Sequence, residues 1–227
     1  MDTRAHTIPQ KPRKIGIVNG ATMSQALSSK CYEYLKPVRQ LLSYHKPIMR
    51  ELHNYVEIIN DMGLLACGNP RLLRAIGNHH EYMYTVVVGG GNMSFKSRSL
   101  IDRFALPGYT KRGIHYERLL VLHYVRLGFH SVVFNGGFVE HLERESLSRP
   151  KSRIPKFMVG IEYYLLPYGV HYYGFRINMG RLRLYKELIE LYGTFRRIIT
   201  SRAYAIGLGL AIEAIENDYE PREVRRR

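Results

Sequence analysis

At 227 residues and 45% apolar, the chain is long enough to bury one core and short for two. Lys+Arg 34 against Asp+Glu 19 gives a formal net charge of +15 and a pI near 9.9. That balance sets aside the ordinary free metabolic enzyme and calls for a polyanionic partner, nucleic acid ahead of an anionic membrane surface.

In chain order, residues 1–14 carry Arg4, Lys11, Arg13 and Lys14 against Asp2 alone, broken by Pro9 and Pro12. This reads as a basic extended arm, with neither the apolar core of a secretory signal nor the periodicity of a presequence helix. Ile15–Gly20 is an apolar run that ends in glycine and gives way to a helical pattern from Ala21 to Lys36. The same strand–glycine–helix unit recurs at Tyr84–Gly91 and at Ser131–Gly137. Uninterrupted Val/Ile runs belong to strands covered on both faces, so the pattern predicts an α/β fold with a mostly parallel sheet. Between these units, Pro47–Ile59 shows helical spacing, Gly63–Gly68 reads as a short buried strand, and Asn69-Pro70 opens a helix. The Val86 strand leads through the glycines Gly89, Gly90 and Gly91 into a helix over Ser97–Phe104. His115–Leu127 is a helix with Gly128 as its stop, and Phe129–Phe134 is the next strand. Arg144–Lys156 holds five basic residues and two prolines and predicts an exposed basic loop. Gly169–Met179 is β-type and aromatic, Leu182–Ile199 and Tyr204–Ile215 are closing helices, and the chain ends in three arginines. The plan is a basic arm (1–14), one α/β domain (15–219) and a basic C-terminal tail (220–227). Neither end has the apolar content to order itself in water. The longest apolar stretch, Ala203–Ile215, is interrupted by Gly207, Gly209 and Glu213 and falls short of the roughly 18–20 residues a bilayer span needs.

Catalytic signatures are weak. Gly90–Ser97 stands where a phosphate-binding loop would, but Phe95 occupies the position before Lys96-Ser97 where that loop needs glycine. The ten histidines are scattered apart from His79-His80, which point in different directions on any regular element. Cys31 and Cys67 lie far apart and read as small buried hydrophobes in a reducing compartment or the mitochondrial matrix. The remaining signal is tyrosine interleaved with arginine. The chain has 18 Tyr and no Trp, and Tyr163-Tyr164, Tyr168, Tyr172-Tyr173 and Tyr185 lie near Arg176, Arg181 and Arg183. Rings and guanidinium planes together stack on unpaired bases and pair with phosphates; singly, such tyrosines are ordinarily core residues.

The segment Gly90-Gly91, Ser94-Phe95-Lys96-Ser97, Leu100-Ile101 and Arg103 resembles the ribosomal small-subunit protein two family, which has two glycines, a short spacer and Asn-Phe-Lys-Thr opening a basic helix. Leu64–Pro70 is similar to that family's strand and turn. Arg126–Val133 is similar to its helix end and following strand, and Phe175–Tyr185 is loosely similar to the segment entering its last large helix. The family's N-terminal Gly-Val-His-Phe-Gly-His block and the Trp before its paired glycines are missing. Its long charged hairpin is absent or cut to Ala105–His115, and Asn135-Gly136-Gly137 replaces its Asp-Thr-Asn. The resemblance implies a diverged organellar member with a flavodoxin-like (Rossmann-like) layer. Such a member contacts ribosomal RNA and neighbouring small-subunit proteins, without catalysis, cofactor or small-molecule substrate. The expected location is mitochondrial, with cytoplasm or virion as alternatives. The expected phosphate contacts are Arg4, Lys11, Arg13, Lys14, Lys96, Arg98, Arg149, Lys151, Arg153, Lys156, Arg181, Arg183, Arg225, Arg226 and Arg227, and Gly89–Gly91 form a structural turn. A viral or phage nucleic-acid-packaging protein is the first alternative, distinguished by self-assembly in many copies. A nucleotide-using α/β enzyme is the second, distinguished by specific nucleotide binding near Gly90.

Overall fold

The computed structural model describes residues 15–22, 46–68, 82–87, 93–95, 102, 104–139, 150–196 and 199–227. Two strands form its sheet centre, β1 (Ile15–Thr22) and β6 (His130–Val139), and they pair in parallel. β4 (Tyr82–Tyr84) lies antiparallel on β6, and β5 (Met93–Phe95) lies antiparallel on β1, giving the order β4-β6-β1-β5. The described strands thus combine one parallel and two antiparallel pairings in a fold of mixed helix and sheet. β2 (Glu57–Ile59) and β3 (Leu65–Cys67) make a separate antiparallel hairpin. Its turn is held by the Asn60 side chain, which accepts the Met62 and Leu64 amides at 3.0 and 3.1 Å. Gly63 completes that turn at φ +75°, and a Cβ there would also strike Pro167.

The stretch Pro47–Ile59 departs from the expected helix: Arg50–Asn54 is a 3-10 turn and the chain then extends into β2. Tertiary pairing decides this. The Val56 amide donates to the Tyr84 carbonyl, the Val86 amide donates to Glu57, and Thr85 bridges Glu57. The β-branched residues Val56, Ile58 and Ile59 suit that extended backbone. The expected Val86 strand is displaced the same way: regular pairing covers 82–84, and Val86 is a fully buried residue beyond it.

α1 (Tyr116–Arg126) stops at Gly128 with φ +82°, as its sequence predicts, and feeds β6. Four further helices build a layer: α2 (Arg153–Tyr163), α3 (Leu166–Tyr172), α4 (Met179–Arg196) and α5 (Ile199–Glu216). Two expectations fail here. Gly169–Met179 is not a strand, because α3 runs through Tyr172 with Leu166 to Val170 all buried. Its Tyr and Val residues are apolar bulk for the core, and burial on every side selects a helix as readily as a strand. The expected basic loop becomes helical at Arg153, after an extended Ser152. The C-terminal tail is likewise ordered. α6 (Pro221–Arg226) carries a capping box in which the Glu220 amide donates to the Glu223 carboxylate at 2.8 Å, and Pro221 and Val224 are buried. Two apolar anchors and a cap suffice where charge counting predicts a free tail.

The sulfur of Cys67 is disulfide-bonded, contrary to the reading of a reduced buried hydrophobe; Cys31 lies outside the described residues. No helix among the described residues is long and apolar enough to cross a membrane.

Candidate nucleic-acid interface

Small residues let the helices of the layer approach closely, and those contacts fix which ends lie together. Gly160 of α2 faces Ala203 and Tyr204 of α5, where an added Cβ would sit 3.0 Å from the Ala203 methyl. Further along, Gly207 faces Ile161 and Tyr164, and the Tyr164 and Tyr204 rings stack at 4.4 Å. Residue numbers rise together along both helices, so α2 and α5 point the same way. α4 runs opposite to α5: Gly193 meets Ser201, Lys186 meets Gly209, and Arg183 pairs with Glu216. At 1.5 Å per residue, Arg153 lies about 10 Å and Ile199 about 6 Å back from the Gly160–Ala203 contact, towards the same end. The first turns of α2 and α5 and the last turn of α4 therefore share one end of the layer.

That end has no carboxylate in the segments that build it. Residues 150–161 hold Lys151, Arg153 and Lys156, and residues 191–212 hold Arg196, Arg197 and Arg202, with no Asp or Glu in either window. Lys151, Arg153, Lys156 and Arg202 are exposed. Among the described residues, Arg153, Lys156 and Arg202 form no ion pair. Two large apolar side chains are bare beside them, Ile154 at 78% and Phe195 at 86% exposure. The sequence reading missed Ile154, Phe195 and Arg202. A helical register laid on Arg153–Tyr163 sets Ile154 about 120° around the helix from Gly160.

The opposite end is also arginine-rich, but several of its cations carry carboxylate partners. Arg183 pairs with Glu216 and Arg227 with Glu213, while the Lys186 ammonium reaches Glu187 and Glu190 at 2.9 Å. The guanidinium of Arg181 donates to both oxygens of Asp61 at 2.7 and 2.8 Å. Arg225 and Arg226 are exposed on α6. The expected contact set is thus divided. Lys151, Arg153 and Lys156 gather at one end, Arg181, Arg183 and Arg225–Arg227 lie away from it, and three of these five carry carboxylate partners. Arg4, Lys11, Arg13, Lys14, Lys96, Arg98, Arg149 and the turn Gly89–Gly91 lie outside the described residues.

The tyrosines expected to stack on bases are mostly structural. Tyr164, Tyr168 and Tyr185 are buried, and Tyr168 donates to the Tyr219 carbonyl at 2.6 Å. Tyr173 donates to the Ala105 carbonyl. Burial pushes the Tyr109, Tyr168 and Tyr173 phenols above their ordinary range, so all three are neutral, and Tyr168 and Tyr173 act as donors.

Behind the layer sits a buried polar cluster. Glu162 accepts from the Arg112 guanidinium and, at 3.1 Å, from its amide. His115, at φ 74°, contacts the Tyr163 carbonyl through Nε2 at 2.6 Å, and Arg118 approaches its Nδ1 at 2.8 Å. Burial first, then the Arg118 charge, holds the imidazole well below its usual pKa. The ring is therefore neutral, with Nε2–H donating to Tyr163 and Nδ1 accepting from Arg118. Sealed from solvent and satisfied on both nitrogens, it pins the loop before α1 against α2 and is not placed to meet a substrate. Among the described residues no group of three or more His, Cys, Asp or Glu could hold a metal ion. Comparisons with family models, with curated proteins and with solved structures each return no match for this chain.

Proposed function

We propose that this chain is a structural RNA-binding protein, and specifically a small-subunit ribosomal component of an organelle. The observation that carries the first half is the charge segregation of the helical layer. Lys151, Arg153, Lys156 and Arg202 are exposed at one end, whose sequence windows hold no acid, whereas Arg181, Arg183 and Arg227 of the other end carry carboxylate partners. A phosphate backbone rewards unmatched cations, since each one that meets a phosphate releases a condensed counterion. The second half rests on the sequence resemblance alone. The mitochondrial placement has the disulfide at Cys67 against it, because disulfides belong mainly to oxidising compartments.

The test is sedimentation of the tagged protein with ribosomal particles at low and high salt. Co-migration with the small subunit at one copy per particle, lost as salt rises, is the expected outcome. Self-assembly in many copies around nucleic acid would replace the reading with that of a packaging protein. A melting temperature raised by ATP or GTP would replace it with that of a nucleotide-using enzyme.

A further inference from the structure

We infer that Phe195 and Tyr192 form a stacking platform for unpaired bases, so that the acid-free end takes single-stranded nucleic acid in preference to duplex. This rests on the nucleic-acid reading above and adds the ligand's strandedness. Phe195 is the barest large apolar side chain among the described residues, at 86% exposure, and Tyr192 is bare at 45%. Both lie on α4, three residues apart, which places them on one face of the helix. Leaving a phenyl ring in water forgoes the stabilisation that its burial would bring, and no packing inside the described fold recovers it. The surrounding chemistry says what covers it. The described cations of this end are Arg153, Lys156 and Arg202, and the sequence holds no carboxylate from Leu191 to Ile212. A ring beside guanidinium groups matches a base beside its phosphates, and the planes of Phe and Arg both stack on bases. A second copy docked through this tip would set two uncompensated basic ends together, which opposes self-pairing.

The experiment measures fluorescence anisotropy of a labelled 12-nucleotide single-stranded RNA and of the same sequence as a duplex, with wild type, Phe195→Ala, Phe195→Leu and Phe195→Trp. Because the ring is exposed, all four proteins should fold, and circular dichroism checks this. Loss of one stacked base should weaken single-strand binding about tenfold in Phe195→Ala and Phe195→Leu, with Phe195→Trp near wild type and duplex binding unchanged within about twofold. Equal loss on both RNAs, or full binding by Phe195→Leu, overturns the stacking role while leaving the RNA reading in place. So does a wild-type dimer that Phe195→Ala dissociates, or binding to phosphatidylserine vesicles that depends on Phe195 while RNA binding does not. Salt-dependent binding of neither RNA by the wild type overturns both readings.

Discussion

The two ends of the helical layer are built from the same helices and similar numbers of arginines, yet they differ in what the arginines face. Near Glu213 and Glu216, Arg183 and Arg227 each meet a carboxylate of their own chain, and that charge is matched within the fold. Near Phe195, Arg153, Lys156 and Arg202 form no ion pair among the described residues, so the attraction is left for something outside. The comparison teaches that net charge says little about where a polyanion docks until each cation is assigned a partner. A surface arginine already paired contributes only about 0–1 kcal/mol locally and little to the outward field.

This contrast depends on α2 and α5 lying together, so the largest expected effect comes from parting them. A Cβ at Gly207 would overlap the Ile161 carbonyl oxygen and sit 2.9 Å from the Tyr164 Cβ. Gly207→Val should cost about 3 kcal/mol by overpacking. Two residues on, a Cβ at Gly209 meets only the flexible end of Lys186 at 3.7 Å. Gly209→Ala should therefore be neutral or stabilise by up to about 1 kcal/mol through helix propensity. Urea melts of the pair decide it, and equal loss in both would mean that the close approach of α2 is not what Gly207 provides.

A smaller effect sharpens the role of the buried cluster. His115 has a depressed pKa in the fold and an ordinary one, near 6.5, when unfolded. Its contribution is therefore complete above pH 6.5 and is lost as pH falls below it, because the unfolded chain then binds the extra proton. The wild type should lose up to about 1.4 kcal/mol per pH unit on this account. His115→Asn, which tolerates the positive φ, should start less stable and show a shallower decline between pH 6.5 and 5. Parallel curves for the two proteins would remove the linkage from His115. The smallest effect is expected at the paired end: Arg181→Ala should cost about 0.5–1 kcal/mol in a thermal melt and leave RNA affinity within about twofold.

The parts of this fold legible in the sequence are those fixed locally. The α1 helix and its Gly128 stop follow from side-chain periodicity and a positive φ, and so do the two long closing helices. β1 and β6 follow from runs of β-branched residues, but both continue through the glycines expected to end them, to Thr22 and Val139, because the two strands go on pairing with each other there. What could not be read was set by partners distant in the chain. Pro47–Ile59 extends because Tyr84 and Val86 offer backbone bonds, and Val224 docks because the core has a place for it. The site shows the same division. Lys151, Arg153 and Lys156 stand out as a basic run, but Arg202 and Phe195 join them only through the Gly160–Ala203 and Gly193–Ser201 contacts, which no local pattern announces. Arg181 and Arg183 appeared equally good candidates until Asp61 and Glu216 were seen beside them.

The most direct test of the charge-segregation account is the salt dependence of RNA affinity for three proteins: wild type, Arg153→Ala/Lys156→Ala/Arg202→Ala at the unmatched end, and Arg181→Ala/Arg183→Ala/Arg227→Ala, whose guanidinium groups meet carboxylates. If about six phosphates are neutralised, wild-type affinity should fall roughly a thousand-fold between 50 and 200 mM salt. The first triple variant should reduce the slope of log K against log salt by roughly two to three, about one for each lost phosphate contact. The matched-end variant, which removes the same charge from the other end, should change the slope by less than about one. Equal loss of slope in both variants, or a loss confined to the matched end, would contradict the account, because binding would then follow total charge and not its distribution.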